Sequence, residues 1–156
     1  CIMRFIFSFL FIVITVFSVE AGTSNNAADG LYFKKTVTGN FSEIVEKVRE
    51  NLSNEGFSVI TEIDMDKKLN EKLDTDVKPY KILGACNPVY DFKTLQIDDN
   101  IGVFLHCKVI VKQLEGNQVE VVSINPAEMM RMMDNEELTK VAEEVSIKLK
   151  AVVEGL

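Results

Sequence analysis

The chain has 156 residues and a formal net charge of −7, with 17 Lys and Arg residues against 24 Asp and Glu residues. Its length favours one domain, and 47% hydrophobic residues are enough for a core, so neither a multidomain protein nor a disordered chain is expected. The acidic balance argues against nucleic acid as a partner, because non-specific binding to phosphates depends on clustered Lys and Arg.

The first twenty residues have the pattern of an export signal. Arg4 precedes an apolar run over residues 5–19, and Val19 and Ala21 form a V-x-A cleavage pattern at its end. This pattern predicts a signal peptide over residues 1–21 that is cleaved after Ala21. The alternative is an uncleaved anchor, although the run is shorter than the roughly 20 apolar residues of a spanning helix. We therefore expect a periplasmic or secreted protein that contacts the membrane only if this segment is retained.

The small and polar segment 22–30 predicts a flexible tether, and residues 31–156 form the predicted domain. The domain opens with a strand over residues 31–37. From Phe41 onward, apolar residues recur at i, i+3, i+4, i+7 and i+11, which predicts an amphipathic helix. Asn40 is the expected N-cap of this helix and Gly56 its left-handed end. Alternating residues then predict a half-buried strand up to Asp64.

The second half of the domain mixes short helices and strands. A charged stretch over residues 64–77 predicts a short helix, and residues 80–86 predict an apolar strand. Asn87 and Pro88 are typical of a helix start, and this helix has a narrow apolar stripe formed by Val89, Phe92 and Leu95.

A hairpin and a long helix close the predicted domain. Residues 101–114 and 118–124 read as two strands joined by a tight turn at Gly116 and Asn117. The apolar spacing between Val141 and Val153 predicts the closing helix. The order of elements predicts an α+β fold, with a mainly antiparallel sheet and helices packed on one of its faces.

Several of these segments resemble a known bacterial family, domain of unknown function 302. The resemblance lies in the motif GFxVxxEID over residues 56–64, in ILGACNP over residues 82–88, in IGVFLHCKVIV over residues 101–111, and in the closing helix. It extends from about residue 31 to residue 156. It implies one domain with the order strand, helix, four strands and helix, similar to TATA-binding-protein-like folds, and it implies a homodimer. It implies no DNA binding and no defined activity, because a fold does not determine function.

The chain departs from the usual family pattern at two places. Members usually have Pro-Cys where this chain has His106-Cys107, and many have His where this chain has Met65. Some branches have Gly-Asn-Pro in place of Cys86-Asn87-Pro88, so a thiol at that position is not obligatory in the family.

Cys86 is the strongest candidate for chemistry in the sequence. It lies between a strand end and a predicted helix N terminus, where backbone N–H groups and the helix dipole favour a thiolate. Cys107 lies in the predicted strand 101–114, with apolar residues at alternate positions, and is expected to face the core. Three alternatives are open for the two thiols: packed free cysteines, a disulfide, or a catalytic or ligand-binding pair.

His106 alternates onto the face of that strand opposite Cys107. Because neighbours in a regular strand point apart, the two residues cannot hold one metal ion without a bulge. His106 is therefore predicted to be an ordinary exposed or dimer-face residue. It is the only His in the chain, and the sequence lacks the spacing of a zinc site, so we expect no metal and no cofactor.

Four methionines lie within five residues: Met129, Met130, Met132 and Met133. Thioethers bind Cu(I), so a soft-metal site is one interpretation. Packing or dimer contact is the stronger interpretation, since a helical turn spreads the four side chains around its circumference. We keep these methionines only as weak metal candidates.

The sequence contains no nucleophile elbow, Walker loop or dinucleotide glycine motif, so an enzyme with a standard motif is not expected. It predicts an exported, dimeric α+β domain that binds a small ligand or a protein partner near Cys86-Asn87-Pro88. The alternative is a thiol-dependent redox or sulfur-handling protein that uses Cys86 and Cys107.

Overall fold

The computed structural model describes residues 30–156, which form five strands and five α-helices. The strands are β1 (Tyr32–Thr38), β2 (Ser58–Asp64), β3 (Tyr80–Cys86), β4 (Cys107–Gln113) and β5 (Gln118–Ile124). The helices are α1 (Phe41–Asn54), α2 (Met65–Leu73), α3 (Pro88–Ile97), α4 (Pro126–Met130) and α5 (Glu136–Glu154). Two short 3-10 helices cover Asp99–Phe104 and Arg131–Met133. The predicted signal peptide, and the tether up to residue 29, lie outside the described residues.

The five strands form one antiparallel sheet in the order β1-β5-β4-β3-β2. Strands β2 to β5 follow one another as a meander, and β1 pairs with β5, so that Tyr32 lies opposite Ile124. The hairpin between β4 and β5 turns at Gly116, whose φ is 61°. The predicted α+β class with an antiparallel sheet is confirmed.

The main core lies between one face of the sheet and the helices α1 and α5. It contains apolar residues from both helices and from the inward positions of β3, β4 and β5, including Val48, Leu52, Leu83, Val109, Val121 and Leu149. The predicted helix α1 is confirmed together with its ends. Asn40 Oδ1 accepts a hydrogen bond from the Ser42 amide at 2.9 Å, and Gly56 has a φ of 84°. This core fixes the positions of β3 and β4, between which the candidate site lies.

The prediction of one strand over residues 101–114 is wrong in its first part. The segment Asp99–Phe104 is a 3-10 helix, and β4 begins only at Cys107. Asp98 caps the 3-10 helix by accepting a hydrogen bond from the Asn100 amide at 2.9 Å. Ile101 is buried there in a second, smaller apolar cluster with Met130, Leu138 and Ala142. Local capping and this second cluster therefore outweigh the strand preference of the apolar sequence.

The apolar stripe on α3 is not a buried face of the domain. Helix α3 has the predicted start, but Val89 is 62% exposed and Phe92 is 65% exposed. The contacts of α3 are with α5 and with the following 3-10 helix. The helix therefore packs through another side and leaves its apolar stripe in solvent.

Between residues 30 and 156, no helix combines the length and the apolar character that crossing a membrane requires.

Candidate functional site

The segment Cys86-Asn87-Pro88 joins the end of β3 to the start of α3. Asn87 is the N-cap of α3, and its Oδ1 accepts a hydrogen bond from the Val89 amide at 3.2 Å. Asn87 is also buried, and its Nδ2 lies next to Gly56, where an added Cβ would come within 3.2 Å of it. The Asn87 side chain therefore contacts the end of α1. Its cap hydrogen bond fixes the first turn of α3 next to the end of β3.

The first turn of α3 brings a carboxylate to Cys86. The Cys86 Sγ donates a hydrogen bond to Asp91 Oδ2 at 2.8 Å, and both residues are half-buried. Burial and the neighbouring Asp91 carboxylate together raise the pKa of the Cys86 thiol to about 11. The expected lowering of this pKa by the helix N terminus is therefore wrong, because desolvation and a nearby negative charge both disfavour the thiolate.

His106 lies immediately before β4 and not within a regular strand. Its φ is 64°, in the left-handed region that few non-glycine residues adopt. The argument that His106 must face away from its neighbour assumed a regular strand, and that assumption is wrong. The pairing of β4 with β3 sets Cys107 opposite Ala85, which brings the preceding residue level with Cys86.

The result is a cluster of three metal-ligating side chains, which we call the Cys86 cluster: Cys86, Asp91 and His106. One possible ligand atom from each residue lies within 4.8 Å of the other two. All three residues are half-buried. The cluster therefore combines a sulfur, a carboxylate oxygen and an imidazole nitrogen that are separated in the sequence and adjacent in the fold.

Cys107 lies beside this cluster but is not one of its three members. It packs against the main core, as predicted, and its thiol has a pKa raised to about 11, first by burial and then by the charge of Asp91. Both Cys86 and Cys107 are free thiols in the structure. Of the three alternatives for this pair, the disulfide is therefore not the one that the structure contains.

A small cavity opens next to the Cys86 cluster. Its volume is about 50 Å³, which is enough for a few water molecules or a small ligand. Most of its wall is apolar and is contributed by residues of the second apolar cluster, by Tyr90 and by Leu105. Asp91, His106 and Cys107 also line it. The polar groups of the site and an apolar cavity therefore adjoin each other.

The four methionines are spread around their segment and do not converge. Met130 is buried and Met129 packs beside it in the second apolar cluster. Met132 is 81% exposed, and Met133 is exposed as well. Their thioethers therefore do not form a set that faces one point, and Met130 contributes to the cavity wall as an apolar group.

The predicted position of Cys86-Asn87-Pro88, at a strand end and a helix start, agrees with the end of β3 and the start of α3. The predicted strand 101–114 puts Cys107 in mid-strand, whereas Cys107 is the first residue of β4. The sequence interpretation does not include Asp91, and it places His106 in a regular strand. The signal for Asp91 was available, because a helix that starts at Pro88 carries residue 91 in its first turn, close to the strand end. The position of His106 depends on the strand register and on its left-handed backbone, and neither has a signature in the sequence.

Comparison with known proteins places the chain in a family. The sequence profile of the family described as Domain of unknown function DUF302 matches residues 33–156. The chain belongs to this family. A similar solved structure is the crystal structure of an uncharacterized conserved DUF302 protein from Bacillus stearothermophilus, with a TM-score of 0.74 and 29% sequence identity. The similarity covers 80% of this chain and 96% of that one. No curated protein matches the chain.

Proposed function

We propose that this DUF302 domain binds a small ligand in the cavity beside Cys86-Asn87-Pro88 and acts as a binding module, not as an enzyme. One observation carries the proposal: the Cys86 cluster adjoins a cavity whose wall is otherwise mostly apolar. Ligand sites in proteins usually combine an apolar wall with a few convergent polar groups that orient the ligand. The small volume favours a ligand of a few atoms over a peptide or a large cofactor.

The test is native mass spectrometry of protein purified from cells that express the full 156-residue sequence. A ligand would appear as an added mass that is released when the protein is denatured. Ala142→Leu fills the cavity from α5, because Ala142 is buried and lines it. Ala151→Leu is the matched control, because Ala151 lies on the same helix and is exposed.

We expect the added mass in the original protein and in Ala151→Leu, and its loss in Ala142→Leu. Overfilling a packed site typically costs about 1–3 kcal/mol, so thermal unfolding must first establish that Ala142→Leu is folded. An added mass that all three proteins keep would place the ligand outside the cavity. The absence of any added mass from all three proteins would contradict the proposal.

The second candidate function is thiol-dependent redox or sulfur chemistry by Cys86 and Cys107. It is favoured by the two free thiols, which share the neighbouring Asp91 carboxylate. The raised pKa of each thiol counts against it, because the thiolate is the reactive form and few thiolates exist at neutral pH. Alkylation of Cys86 with iodoacetamide across pH 6–10 tests this candidate. A rate that levels off below pH 8 would favour it over ligand binding.

Export and dimerisation belong to the same proposal. The predicted signal peptide supports export, and the mass of the mature N terminus tests cleavage after Ala21.

The resemblance to the family and the exposed apolar stripe of α3 support a homodimer. Light scattering coupled to gel filtration measures the oligomeric state, and a monomer at micromolar concentration would contradict the dimer.

A further inference from the structure

Three elements of the fold supply the Cys86 cluster, and each supplies a different ligand atom. The sulfur comes from the end of β3, the carboxylate from the first turn of α3, and the imidazole from the residue before β4. The geometry points to a metal site: Cys86, Asp91 and His106 bind a divalent metal ion that accepts a thiolate ligand, with Zn²⁺ as the first expectation. This inference rests on the proposed function, because the metal ion would lie beside the cavity and would bind the ligand that the cavity holds.

The spacing of the three ligand atoms agrees with a single ion. Zn²⁺ binds sulfur at about 2.3 Å and nitrogen or oxygen at about 2.0–2.2 Å, so neighbouring ligands around a tetrahedral ion lie about 3.5 Å apart. Cys86 Sγ and Asp91 Oδ2 are 2.8 Å apart, and no separation in the cluster exceeds 4.8 Å. All three side chains are half-buried, so rotation about their χ angles is the adjustment that we expect on metal binding.

Charge and ligand type also favour this ion. A thiolate and a carboxylate contribute two negative charges and a neutral imidazole contributes none, so the three ligands balance a divalent cation. Balance matters at a half-buried site, because an uncompensated charge there is costly. Zinc accepts sulfur, nitrogen and oxygen ligands together, whereas Mg²⁺ and Ca²⁺ prefer oxygen alone.

The binding step exchanges a proton for the metal ion. Cys86 now donates its S–H to Asp91. On binding, the sulfur–hydrogen bond breaks, the electron pair of the sulfur goes to the metal, and the proton leaves to solvent. Asp91 Oδ2 then bonds to the metal and no longer accepts from the thiol. No oxidant or reductant is needed.

Three protein ligands leave the fourth position of a tetrahedral ion open. Asp91 and His106 line the cavity as well as belonging to the cluster. An ion bound there would therefore have its open position next to the cavity, where water or a small anionic or sulfur-containing ligand completes the coordination. The metal and the cavity together account for a site that is small, partly polar and otherwise apolar.

The experiment uses Co²⁺ as an optical substitute for Zn²⁺ and uses untagged protein from the full sequence, stripped with a chelator. We expect one equivalent of Co²⁺ to produce a thiolate-to-cobalt absorption band in the near ultraviolet, together with visible bands of tetrahedral cobalt. One equivalent of Zn²⁺ should abolish both. An absence of the thiolate band at stoichiometric Co²⁺ would overturn the inference.

Variants assign the ligands. Cys86→Ser should abolish the thiolate band, and Asp91→Asn and His106→Asn should each weaken Co²⁺ binding by at least about tenfold. Asn at position 106 removes the imidazole but tolerates a left-handed backbone, so this variant does not disturb the turn before β4. Asp99→Asn is the matched control, because it changes an exposed carboxylate outside the cluster. Cys107→Ser is not a control but separates the two thiols, because Cys107 lines the cavity without belonging to the cluster.

The outcomes separate this inference from the proposed function. If Cys107→Ser abolishes the band and Cys86→Ser keeps it, the assigned ligand is wrong. If Co²⁺ does not bind but native mass spectrometry finds an added mass that Ala142→Leu loses, the metal site is wrong and ligand binding stands. If Co²⁺ binds but no mass sensitive to Ala142→Leu exists, the metal site stands and the cavity is not a ligand site. Circular dichroism checks folding, and the variants at positions 91 and 106 still test the site if Cys86→Ser does not fold.

Discussion

The apolar residues of the main core are buried, whereas many apolar residues of the segment 88–106 are exposed, although Ile101 in that segment is buried. In the main core, Val48, Leu52 and Leu149 have no exposed surface. In the segment 88–106, which connects β3 to β4, Phe92 is 65% exposed and Val103 is 84% exposed. Both regions have an apolar sequence, but only one of them lies between a sheet and two helices. Burial is therefore a property of where a segment lies in the fold and not of its composition.

The two regions also differ in role. The main core stabilises the domain, whereas the segment 88–106 supplies polar groups of the candidate site. The main core contains most of the largest fully buried side chains of the described residues, and it contributes most of the apolar burial that stabilises the domain. The less tightly packed segment supplies Asp91 and His106, and it forms part of the cavity wall. A rigid sheet that carries a polar site on a connecting segment is a common arrangement in proteins. The predictions below test this division, beginning with the largest effect.

Removing a core side chain should cost far more than removing an exposed one of larger size. Leu149→Ala leaves a cavity in the main core, and we expect the free energy of unfolding to fall by about 2–5 kcal/mol. Phe92→Ala removes a larger side chain from the exposed stripe, and for the monomer we expect a change within about 0.5 kcal/mol. Urea denaturation measures both. Equal losses would mean that the stripe of α3 is buried in solution, as it would be within a dimer.

A substitution at Gly56 tests the contact between the end of α1 and Asn87, which joins the main core to the site. A side chain at this position meets a left-handed backbone and the Asn87 amide, so Gly56→Ala should lower the free energy of unfolding by roughly 1–2 kcal/mol. Gly102→Ala is the control, because an added Cβ there has no neighbour within 4 Å and φ is not positive. Thermal unfolding of the two variants should separate clearly. A Gly56→Ala protein as stable as the control would show that α1 can end in another way.

The two N-cap residues allow a matched comparison of the regions. Asn40 caps α1 at the main core and Asn87 caps α3 at the site. Replacement of either cap by Ala should cost about 1 kcal/mol, because unpaired amides remain at the helix start. Only Asn87→Ala should also speed alkylation of Cys86, since it loosens the turn that holds Asp91 against the thiol. If Asn40→Ala speeds alkylation equally, the effect is global unfolding and not a local change at the site.

The smallest expected effect is at Asp64, the last residue of the edge strand β2. Asp64 belongs neither to the main core nor to the segment 88–106. Hydrogen bonds from Lys81 and Lys67 lower the pKa of Asp64 from its ordinary value of 3.8 to about 2. A lowered pKa in the folded state means that Asp64 stabilises the fold fully above about pH 4, and that this contribution is lost as the pH falls towards 2. Solvent screening keeps it at about 0.2–1 kcal/mol.

The measurement is the free energy of unfolding of the original protein and of Asp64→Asn as a function of pH. The original protein should be the more stable of the two at pH 6, and the two curves should converge between pH 4 and pH 2. Curves that remain parallel over this range would contradict the role assigned to Lys81 and Lys67.

The elements that the sequence predicts well are those whose pattern is repeated over many residues or marked by a cap. Helix α1 has five apolar positions at helical spacing, with Asn40 before it and Gly56 after it, and the structure has all of these features. Strand β3 and the start of α3 were likewise predicted at the correct residues. In each of these cases local propensity and tertiary packing favour the same conformation.

The predictions that failed depend on interactions between distant segments. Residues 101–104 have a strand-forming composition, but Ile101 packs against Met130 and Leu138 from much later in the chain. Burial and the Asp91 carboxylate raise the pKa of Cys86, whereas the sequence interpretation considers only the helix N terminus. The Cys86 cluster depends on strand register and on one left-handed residue. Of these, only the position of Asp91 near the strand end can be inferred from residue spacing, through the predicted helix start at Pro88.

The pairing of β1 with β5 has a consequence for the order of events in folding. Tyr32 pairs with Ile124, and Lys35 Nζ donates to the carbonyl of Leu156 at 2.6 Å. Strand β1 therefore finds its partners only after β5 and the end of α5, which follow it in the chain, have been made. Such distant contacts slow folding, and until they form, the open edge of β5 is available to other chains. Molecular chaperones that shield this edge during synthesis would therefore have their greatest effect on yield while β1 is still unpaired.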